Sequence, residues 1–147
     1  MNLSQETDYR NIISQCFAED QNLLERWHLE SGKGLENCVE TTHKDMHDAK
    51  IEFFSVHDDQ TLVGYFGKEH VQGEDFLTGF FIRPSFRNST KVKEYWSLLK
   101  SEFQKPFYCG LFLKNLPAIS FITKNHGEPV LHTEAHGQPA LIFKITE

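Results

Sequence analysis

The spacing of apolar residues predicts helices in the first third of the chain. Between residues 8 and 30, apolar side chains recur every three or four positions, from Ile12 to Trp27, and this period predicts one helix. Residues 31–34, Ser-Gly-Lys-Gly, are expected to end it, because paired glycines favour turns. A second helix is expected from about residue 35 to residue 49.

From residue 51 the pattern changes to short runs rich in β-branched and aromatic residues, which are typical of strands. Turn residues separate the runs at 57–60 and at 71–75, and the first two runs are expected to pair as a hairpin. Pro84 ends the third run, because proline lacks the N–H that a strand donates to its neighbour. The three strands are expected at residues 51–56, 61–67 and 76–82.

The last third of the chain alternates between helical and strand patterns. An apolar stripe from Val92 to Phe103 predicts a helix, which Pro106 ends. A shorter helix is expected to begin near Asn115 or Pro117. The elements expected here are helices at residues 89–104 and 118–124, and strands at 107–113, 130–134 and 140–145.

The predicted order is two helices, three strands, a helix, a strand, a helix and two strands. Such an order is typical of an α/β fold of the mixed α+β kind, in which helices cover a sheet. The strand–helix–strand unit over residues 76–113 is expected to be a right-handed parallel crossover. The length of 147 residues suits one ordinary domain, and we expect a single domain over residues 1–147. Thirteen Phe residues indicate sheet faces covered by aromatic side chains.

The distribution of charge narrows the classes of partner. A formal net charge of −6 argues against a nucleic-acid-binding protein, which favours a basic surface. Residues 83–105 nevertheless contain six Arg and Lys residues against two Glu residues. A basic segment of this kind can face a local anion such as a phosphate, or it can be the solvated face of a helix. The sequence leaves both interpretations open.

The cysteines and the N-terminal sequence indicate a cytoplasmic protein. Three cysteines, an odd number without metal or redox spacing, are expected to be reduced and buried. The first ten residues, MNLSQETDYR, lack the apolar stretch of a signal peptide. No run approaches the roughly 18 apolar residues of a membrane span, so we expect no membrane association.

The histidines do not predict a metal site. His43 and His47 lie four residues apart on a predicted helix and share a face, but a third ligand is not evident. Residues 132–136, His-Thr-Glu-Ala-His, differ from the H-E-x-x-H zinc signature, although on a strand the two histidines and the glutamate would share one face. We therefore expect no bound metal.

Three segments, in order along the chain, resemble the GNAT superfamily of acyl-CoA-dependent N-acetyltransferases. Residues 62–65, Leu-Val-Gly-Tyr, are similar to the Val-Gly step of that family's hairpin. Residues 80–87, Phe-Phe-Ile-Arg-Pro-Ser-Phe-Arg, resemble its V-x-P-x-x-R, and residues 115–121, Asn-Leu-Pro-Ala-Ile-Ser-Phe, resemble its N-x-x-A-I-x-F. The resemblance spans roughly residues 50–145 and implies a GNAT-like fold. That fold has a central, mostly antiparallel sheet with one parallel strand pair, flanked by helices.

The resemblance also implies acetyl-CoA as a co-substrate. In the family, a loop R-x-x-G-x-G/A follows the central strand and opens a helix, where N–H groups and the helix dipole hold the pyrophosphate. Here Thr90 and Val92 stand at the glycine positions, so the loop is degenerate, and a valine there would crowd a phosphate. The hydroxyls of Ser89 and Thr90, with Lys91, offer partial compensation. The implied cofactor-binding residues are Phe81, Ile82, Arg87, Asn88, Ser89, Thr90, Lys91, Val92 and Asn115.

The catalytic residues are less well matched. The family often places a tyrosine seven residues after the asparagine, as general acid for the departing thiolate, and that position is Ile122 here. Tyr108 or Cys109 on the preceding strand can substitute, or both can belong to the core. Asn115 is expected to orient the site, and Glu69 to act as the general base. The alternative bases are His70, Glu74 and Asp75.

Three functions therefore remain open. The first is an N-acetyltransferase that moves an acetyl group from acetyl-CoA to a small-molecule or protein amine. The second is a catalytically inactive GNAT-like structural or interaction protein, because the loop glycines and the tyrosine are lost. Residues 115–127 also resemble GNAT-like virion proteins of short-tailed phages, which would make such a protein phage-derived. The third is a different α+β binding domain. In each case the C-terminal hairpin offers an edge through which a homodimer can form.

Overall fold

The computed structural model describes residues 1–25 and 34–147 of the chain. These residues form two compact units, the first made of Met1–Gly67 and Gly79–Glu102 and the second of Lys68–Thr78 and Phe103–Glu147. A single domain over residues 1–147 stays a prediction.

The described elements follow the predicted order, apart from an additional strand at the start and a break in the first predicted helix. The strands are β1 (Asn2–Glu6), β2 (Glu52–Asp58), β3 (Thr61–Val71), β4 (Glu74–Ile82), β5 (Phe107–Phe112), β6 (Glu128–Ala135) and β7 (Gln138–Ile145). The helices are α1 (Arg10–Glu19), α2 (Leu35–Asp48), α3 (Lys91–Lys100) and α4 (Leu116–Lys124), with a 3-10 turn at Pro84–Phe86.

The strands form a seven-stranded sheet in the order β1-β2-β3-β4-β5-β7-β6. Strands β4 and β5 are parallel, with Phe76 opposite Tyr108 and Leu77 opposite Cys109. Strand β7 pairs antiparallel with both β5 and β6, and β1 pairs antiparallel with β2. The predicted fold class, a mixed sheet that includes a parallel pair and is flanked by helices, is confirmed.

The N-terminal region differs from the prediction in two ways. Residues 2–6 form the edge strand β1, which the polar sequence does not indicate because most of its side chains are exposed. The helix predicted over residues 8–30 ends at Glu19, and a new helical turn covers residues 21–25. Asp20 causes this break, because its Oδ1 accepts the N–H of Leu23 at 3.1 Å, and side chains of this type compete with helical hydrogen bonds. Residues 26–33 of the prediction lie outside the described residues.

The remaining differences concern the ends of elements. The turns predicted at 57–60 and 71–75 are tighter, with β2 reaching Asp58 and β3 reaching Val71. The second turn contains just Gln72 and Gly73, which have φ angles of 52° and 83°, as two-residue hairpin turns require. The helix predicted over residues 89–104 covers Lys91–Lys100.

The core of the first unit is a row of aromatic rings on the sheet. Tyr9 stacks on Phe53 at 4.0 Å between ring centroids, Phe53 on Tyr65 at 4.9 Å, and Tyr65 on Phe81 at 5.9 Å. These side chains come from neighbouring strands β2, β3 and β4 and from the residue before α1, so α1 and the sheet share one core. The prediction of aromatic sheet faces is confirmed here. In the second unit Phe103 stacks on Phe107 at 4.6 Å, and Ile122 and Phe143 are buried.

Candidate functional site

The segment between β4 and α3 is a compact loop that ends at a helix N-terminus. Within residues 83–87 the N–H of Phe86 donates to the carbonyl of Arg83 at 2.9 Å, and the N–H of Arg87 to that of Pro84 at 3.3 Å. The N–H groups of Asn88, Ser89 and Thr90 donate no hydrogen bond within the described part of the chain. Three successive free donors thus precede α3.

The hydroxyl of Ser89 closes the first turn of α3. Its Oγ donates to the carbonyl of Phe86 at 2.7 Å and accepts the N–H of Lys91 at 3.2 Å. Thr90, at a glycine position of the family motif, has a φ of −62°, which any residue adopts. The backbone therefore does not need glycine at this position. The Thr90 side chain is exposed, and Val92 is half-buried.

Arg83 and Glu19 form an ion pair at the start of the loop. The guanidinium Nε of Arg83 donates to Glu19 Oε2, and its Nη1 donates to the carbonyl of Leu62 at 2.9 Å. The second carboxylate oxygen of Glu19 accepts the backbone N–H of Ser85 at 3.0 Å. One carboxylate from the end of α1 therefore binds both a guanidinium and a loop amide.

Arg87, like Arg83, binds one carboxylate and one backbone carbonyl. Its Nε donates to the carbonyl of Ile82 at 2.7 Å, and its Nη2 donates to Asp20 Oδ2 at 2.9 Å. The guanidinium also lies over the ring of Phe81, 5.0 Å from the centroid. Asp20 is mostly buried, since its side chain is 14% exposed against 42% for Arg87. Arg87 thus folds back on the strand that precedes it.

Each of the three cations nearest the loop is matched by a carboxylate of the chain itself. Arg83 pairs with Glu19 and Arg87 with Asp20, as described above. Lys91 Nζ lies 2.9 Å from Asp58 Oδ2. The hydrogen bond from Lys91 is the largest influence on the Asp58 carboxyl, and it lowers the pKa of Asp58 below its ordinary value. The charges of Arg83, Arg87 and Lys91 are thus neutralised locally.

Glu19 is charged at neutral pH in this arrangement. Burial is the largest single influence on its carboxyl and alone would raise the pKa. The hydrogen bonds from Ser85 and from Arg83, with the charge of Arg83, outweigh burial and hold the pKa of Glu19 below its ordinary value. The carboxylate therefore stays an anion throughout the neutral range.

The asparagine and tyrosine positions of the family motif have structural contacts here. Asn115 is the N-cap of α4, and its Oδ1 accepts the N–H of Ala118 at 3.4 Å. Ile122, which stands where family enzymes often have a tyrosine, is fully buried. Tyr108 is half-buried in β5, with its ring 5.5 Å from that of Phe76. Cys109 is buried, and burial raises the pKa of its thiol to about 12.

The candidate bases lie at the β3–β4 hairpin. Glu69 is half-buried, and its Oε2 accepts the hydroxyl of Thr78 at 3.4 Å. Asp75 is buried, with His70 Nδ1 at 2.8 Å from its Oδ1 and the N–H of Gln104 donating to its Oδ2 at 3.0 Å. Burial alone would raise the pKa of Asp75, but these hydrogen bonds and nearby positive charges hold the pKa below its ordinary value. Asp75 thus fixes the segment before β5.

Sequence reasoning missed Glu19 and Asp20. They lie 64 and 67 residues before the arginines that they bind, in a stretch without any recognised motif. The sequence gives no signal for them, because the predicted helix runs through both residues and only the structure shows that α1 ends at Glu19.

The histidines that share a sequence segment lie on α2 and at the β6–β7 hairpin. The rings of His43 and His47 lie 5.6 Å apart on α2. His136 lies in the turn after β6, so the face that it would share with His132 and Glu134 on a continuous strand is not formed. In the described ranges, no three His, Cys, Asp or Glu side chains cluster as metal ligands would. Nor does any helix there have the length and apolar character to cross a membrane.

Comparison with known proteins identifies the fold. No protein-family model and no curated protein matches the sequence. Among solved structures, an acetyltransferase from Thermus thermophilus matches with a TM-score of 0.70 at 13% identity, covering 99% of this chain and 97% of that one. A GNAT-family acetyltransferase from Bacillus cereus matches with a TM-score of 0.65 at 13% identity, over 99% and 96% of the two chains. The ribosomal-protein-alanine N-acetyltransferase from Brucella melitensis matches with a TM-score of 0.57 at 13% identity over 100% of both. The chain therefore has the GNAT acetyltransferase fold.

Proposed function

We propose that this protein is an N-acetyltransferase that binds acetyl-CoA at the loop between β4 and α3 and transfers the acetyl group to an amine. The observation that carries the proposal is the set of three N–H groups, at Asn88, Ser89 and Thr90, without an acceptor in the described part of the chain. They precede the N-terminus of a ten-residue helix. Free amides and the positive end of a helix dipole together favour a phosphate.

The side chains around these amides supply the rest of the cofactor site. Asn88, Ser89 and Thr90 are exposed, so a phosphate has access to them. Lys91 lies at the first position of α3, and its ammonium can exchange Asp58 for a phosphate oxygen. Phe81 and Ile82 end the strand along which the rest of the cofactor would lie. Thr90 and Val92 add bulk that the family motif lacks, and they are expected to weaken binding.

The transfer itself needs few groups from the protein. The amine nitrogen attacks the thioester carbonyl, a carbon–nitrogen bond forms, and the carbon–sulfur bond breaks with release of CoA thiolate. We assign Glu69 as the base that takes the proton from the amine and Tyr108 as the acid that gives a proton to the thiolate. Asn115 would orient the site next to α4.

The acceptor is an amine of a small molecule or of a protein, and the reaction would take place in the cytoplasm. The Brucella melitensis structure with the same fold is named for an alanine of ribosomal proteins, which supports a protein N-terminus as one acceptor class. An acetyl-transfer assay over small amines and peptide N-termini separates these classes.

A homodimer is proposed through the edge strand β6. Val130 and Leu131 on this strand are 50% and 54% exposed, which is unusual for large apolar residues. Sedimentation of the wild type and of Val130→Lys tests this, since a lysine on an edge strand opposes pairing. A monomeric wild type would exclude the dimer.

Removing one backbone N–H donor is the most direct test of the cofactor site. Thr90 has a φ of −62°, close to the value that proline imposes, and its N–H has no acceptor in the described residues. Thr90→Pro should therefore fold and weaken acetyl-CoA binding by roughly tenfold to a hundredfold, the value of a hydrogen bond to a charged group. Thr90→Ala keeps the amide and is the matched control. Calorimetry that detects no acetyl-CoA binding to the wild type at millimolar ligand would reject the proposal.

A second function, a catalytically inactive GNAT-fold structural or interaction protein of phage origin, is favoured by the neutralised loop. Arg83, Arg87 and Lys91 are each paired with an acid of the chain. Acetyl transfer to any amine of a broad panel, abolished by Thr90→Pro and retained by Thr90→Ala, would reject this alternative.

A further inference from the structure

The two faces of strand β5 in the second unit differ in burial. Successive residues of a strand point to opposite faces of the sheet. On one face of β5 every residue from Phe107 to Leu111 is buried. On the other face the aromatic side chains of Tyr108 and Phe112 are half-buried, and Gly110 between them is exposed. We call this second face the Tyr108 face.

The Tyr108 face continues across the neighbouring strands as an apolar surface. Residues directly opposite each other on paired strands share a face. Gly110 lies opposite Ile142 of β7, and Ile142 lies opposite Leu131 of β6. On the other side, Phe76 of β4 lies opposite Tyr108. Ile142 is half-buried and Leu131 is 54% exposed, so apolar side chains on this face are accessible to a ligand.

Gly110 leaves a notch in the Tyr108 face. A Cβ atom built on Gly110 would meet no heavy atom of the described residues within 4 Å. Tyr108 and Phe112 lie two residues before and after it, about 7 Å away on each side along the strand. Ile142 flanks the notch from β7. The notch therefore has room for one aromatic or branched group, which the two rings can contact on either side.

One carboxylate lies on the strand beyond β4 in the same unit. Thr78 is two residues after Phe76 and thus belongs to the Tyr108 face, and its hydroxyl donates to Oε2 of Glu69 at 3.4 Å. A carboxylate accepts several hydrogen bonds, so Glu69 can accept an ammonium group as well. Lys144, opposite Tyr108, is itself opposite Glu128, and these two charges offset each other. The charge of Glu69 therefore makes this part of the face suitable for a cation.

We infer that Gly110 is a specificity-determining residue, and that the acceptor is a small primary amine with an aromatic or branched apolar body. The amine group binds at Glu69 and the apolar body fills the notch. This inference rests on the proposed function, because Glu69 and Tyr108 are the base and acid assigned there. A small molecule fits better than a peptide, because β5 lies between β4 and β7 and its main-chain groups pair within the sheet.

Amine binding to the full chain tests the inference without acetyl-CoA. The probes are 2-phenylethylamine, 3-methylbutylamine, ethylamine, the uncharged 2-phenylethanol and a tripeptide that begins with phenylalanine, each titrated by NMR. Gly110→Leu fills the notch with a side chain that starts in open space. Thr133→Leu is the matched control, because it adds the same side chain to the same face, two strands away from Gly110. Glu69→Gln removes the charge and keeps an oxygen for the Thr78 hydroxyl.

The notch predicts that the wild type binds 2-phenylethylamine and 3-methylbutylamine at least about tenfold more tightly than ethylamine, since each buries an apolar body. Gly110→Leu should reduce this preference to about twofold or less, and Thr133→Leu should keep it. Glu69→Gln should weaken 2-phenylethylamine roughly tenfold and leave 2-phenylethanol unchanged. If the circular dichroism spectrum of Gly110→Leu departs from that of the wild type, Gly110→Ala replaces it, with an expected loss of about threefold.

Several results would overturn the inference. They are equal binding of all amines by the wild type, an unchanged preference in Gly110→Leu, equal effects of Gly110→Leu and Thr133→Leu, and tighter binding of the tripeptide than of 2-phenylethylamine. Failure of the proposed function gives a different result. A preference for apolar amines that Gly110→Leu abolishes, in a protein that transfers no acetyl group, would keep the amine site and reject the transferase. Acetyl transfer to ethylamine and to 2-phenylethylamine with equal kcat/KM would keep the transferase and reject the role of Gly110.

Discussion

Replacement of Gly64 by alanine tests how closely β3 and β4 pack beside the loop. Gly64 is buried in β3, and a Cβ atom built there would lie 2.0 Å from the carbonyl oxygen of Phe81 and 3.1 Å from the Cα of Ile82. A carbon–oxygen contact normally needs about 3.3 Å. The two strands must therefore separate by more than about 1 Å at this point, and the neighbouring hydrogen bond from the Arg83 N–H to the Val63 carbonyl, 2.9 Å long, would stretch.

The expected cost follows from two opposing effects. Overpacking of a filled interior usually costs about 1–3 kcal/mol, and more where the neighbour is backbone that cannot rotate away. The lower entropy of the unfolded alanine chain returns about 0.4–1 kcal/mol. The obstructing atom here belongs to the backbone of Phe81, so we expect Gly64→Ala to lower the free energy of unfolding by about 2 kcal/mol or more. For a chain of this size, that corresponds to a melting temperature lower by roughly 4–8 °C.

Urea unfolding followed by circular dichroism measures this difference. Gly110→Ala is the matched control, because Gly110 lies in β5 and a Cβ built there meets no heavy atom within 4 Å. We expect the control to unfold within about 0.5 kcal/mol of the wild type. Equal midpoints for the two variants would refute the reasoning, since they would mean that the β3–β4 contact yields to a methyl group without cost.

Three further predictions concern buried polar groups. Cys109 should resist a thiol reagent at neutral pH until the chain unfolds, since burial raises the pKa of its thiol to about 12, and labelling of the native protein within minutes would contradict this. The pKa of Asp75 is held below its ordinary value of 3.8, so its stabilising effect is complete above that pH and is lost as the pH falls through the lowered pKa. Urea unfolding at pH 7 and pH 3 should therefore show a larger loss for the wild type than for Asp75→Asn, and equal losses would exclude this role. Tyr95→Phe should cost about 1–2 kcal/mol, because the hydroxyl donates to the buried carbonyl of Tyr65 at 2.7 Å; an unchanged midpoint in urea would show that this bond contributes nothing.

Most of the fold could be predicted because local signals agree with the tertiary structure. Period-2 and period-3.6 patterns gave the order of elements from residue 35 onward, and Pro84 follows the end of β4 as expected. Helix α3, in contrast, ends at Lys100, well before Pro106. Strand β1 could not be predicted, because it is an edge strand held by main-chain pairing with β2 and its side chains carry no apolar alternation. The break at Asp20 was missed for a related reason. The helical period continues through it, and a side-chain hydrogen bond to Leu23 decides the outcome.

The candidate site could be predicted only as far as it is local in sequence. The loop after β4 and the helix that it opens follow from residues 82–92 alone. The partners of its arginines come from α1, and no spacing rule connects residues that are 64 or 67 positions apart. Asn115 is the opposite case, because the motif around it predicted a role in the site. In the structure its side chain caps α4 by accepting the N–H of Ala118.

The loss of the loop glycines and the ion pairs that Glu19 and Asp20 form with the loop arginines have a common physical consequence. Glycine lets a phosphate approach the backbone closely, and unpaired arginines attract it from a distance. This chain has Thr90 and Val92 in place of the glycines, and Glu19 and Asp20 neutralise Arg83 and Arg87. Both changes weaken the binding of a phosphate that makes no contacts outside the loop. Neither change removes the free N–H groups of residues 88–90. A ligand that binds here must therefore gain much of its affinity from contacts that it makes outside its phosphate groups. CoA should accordingly bind much more tightly than inorganic pyrophosphate, with which it shares only the diphosphate.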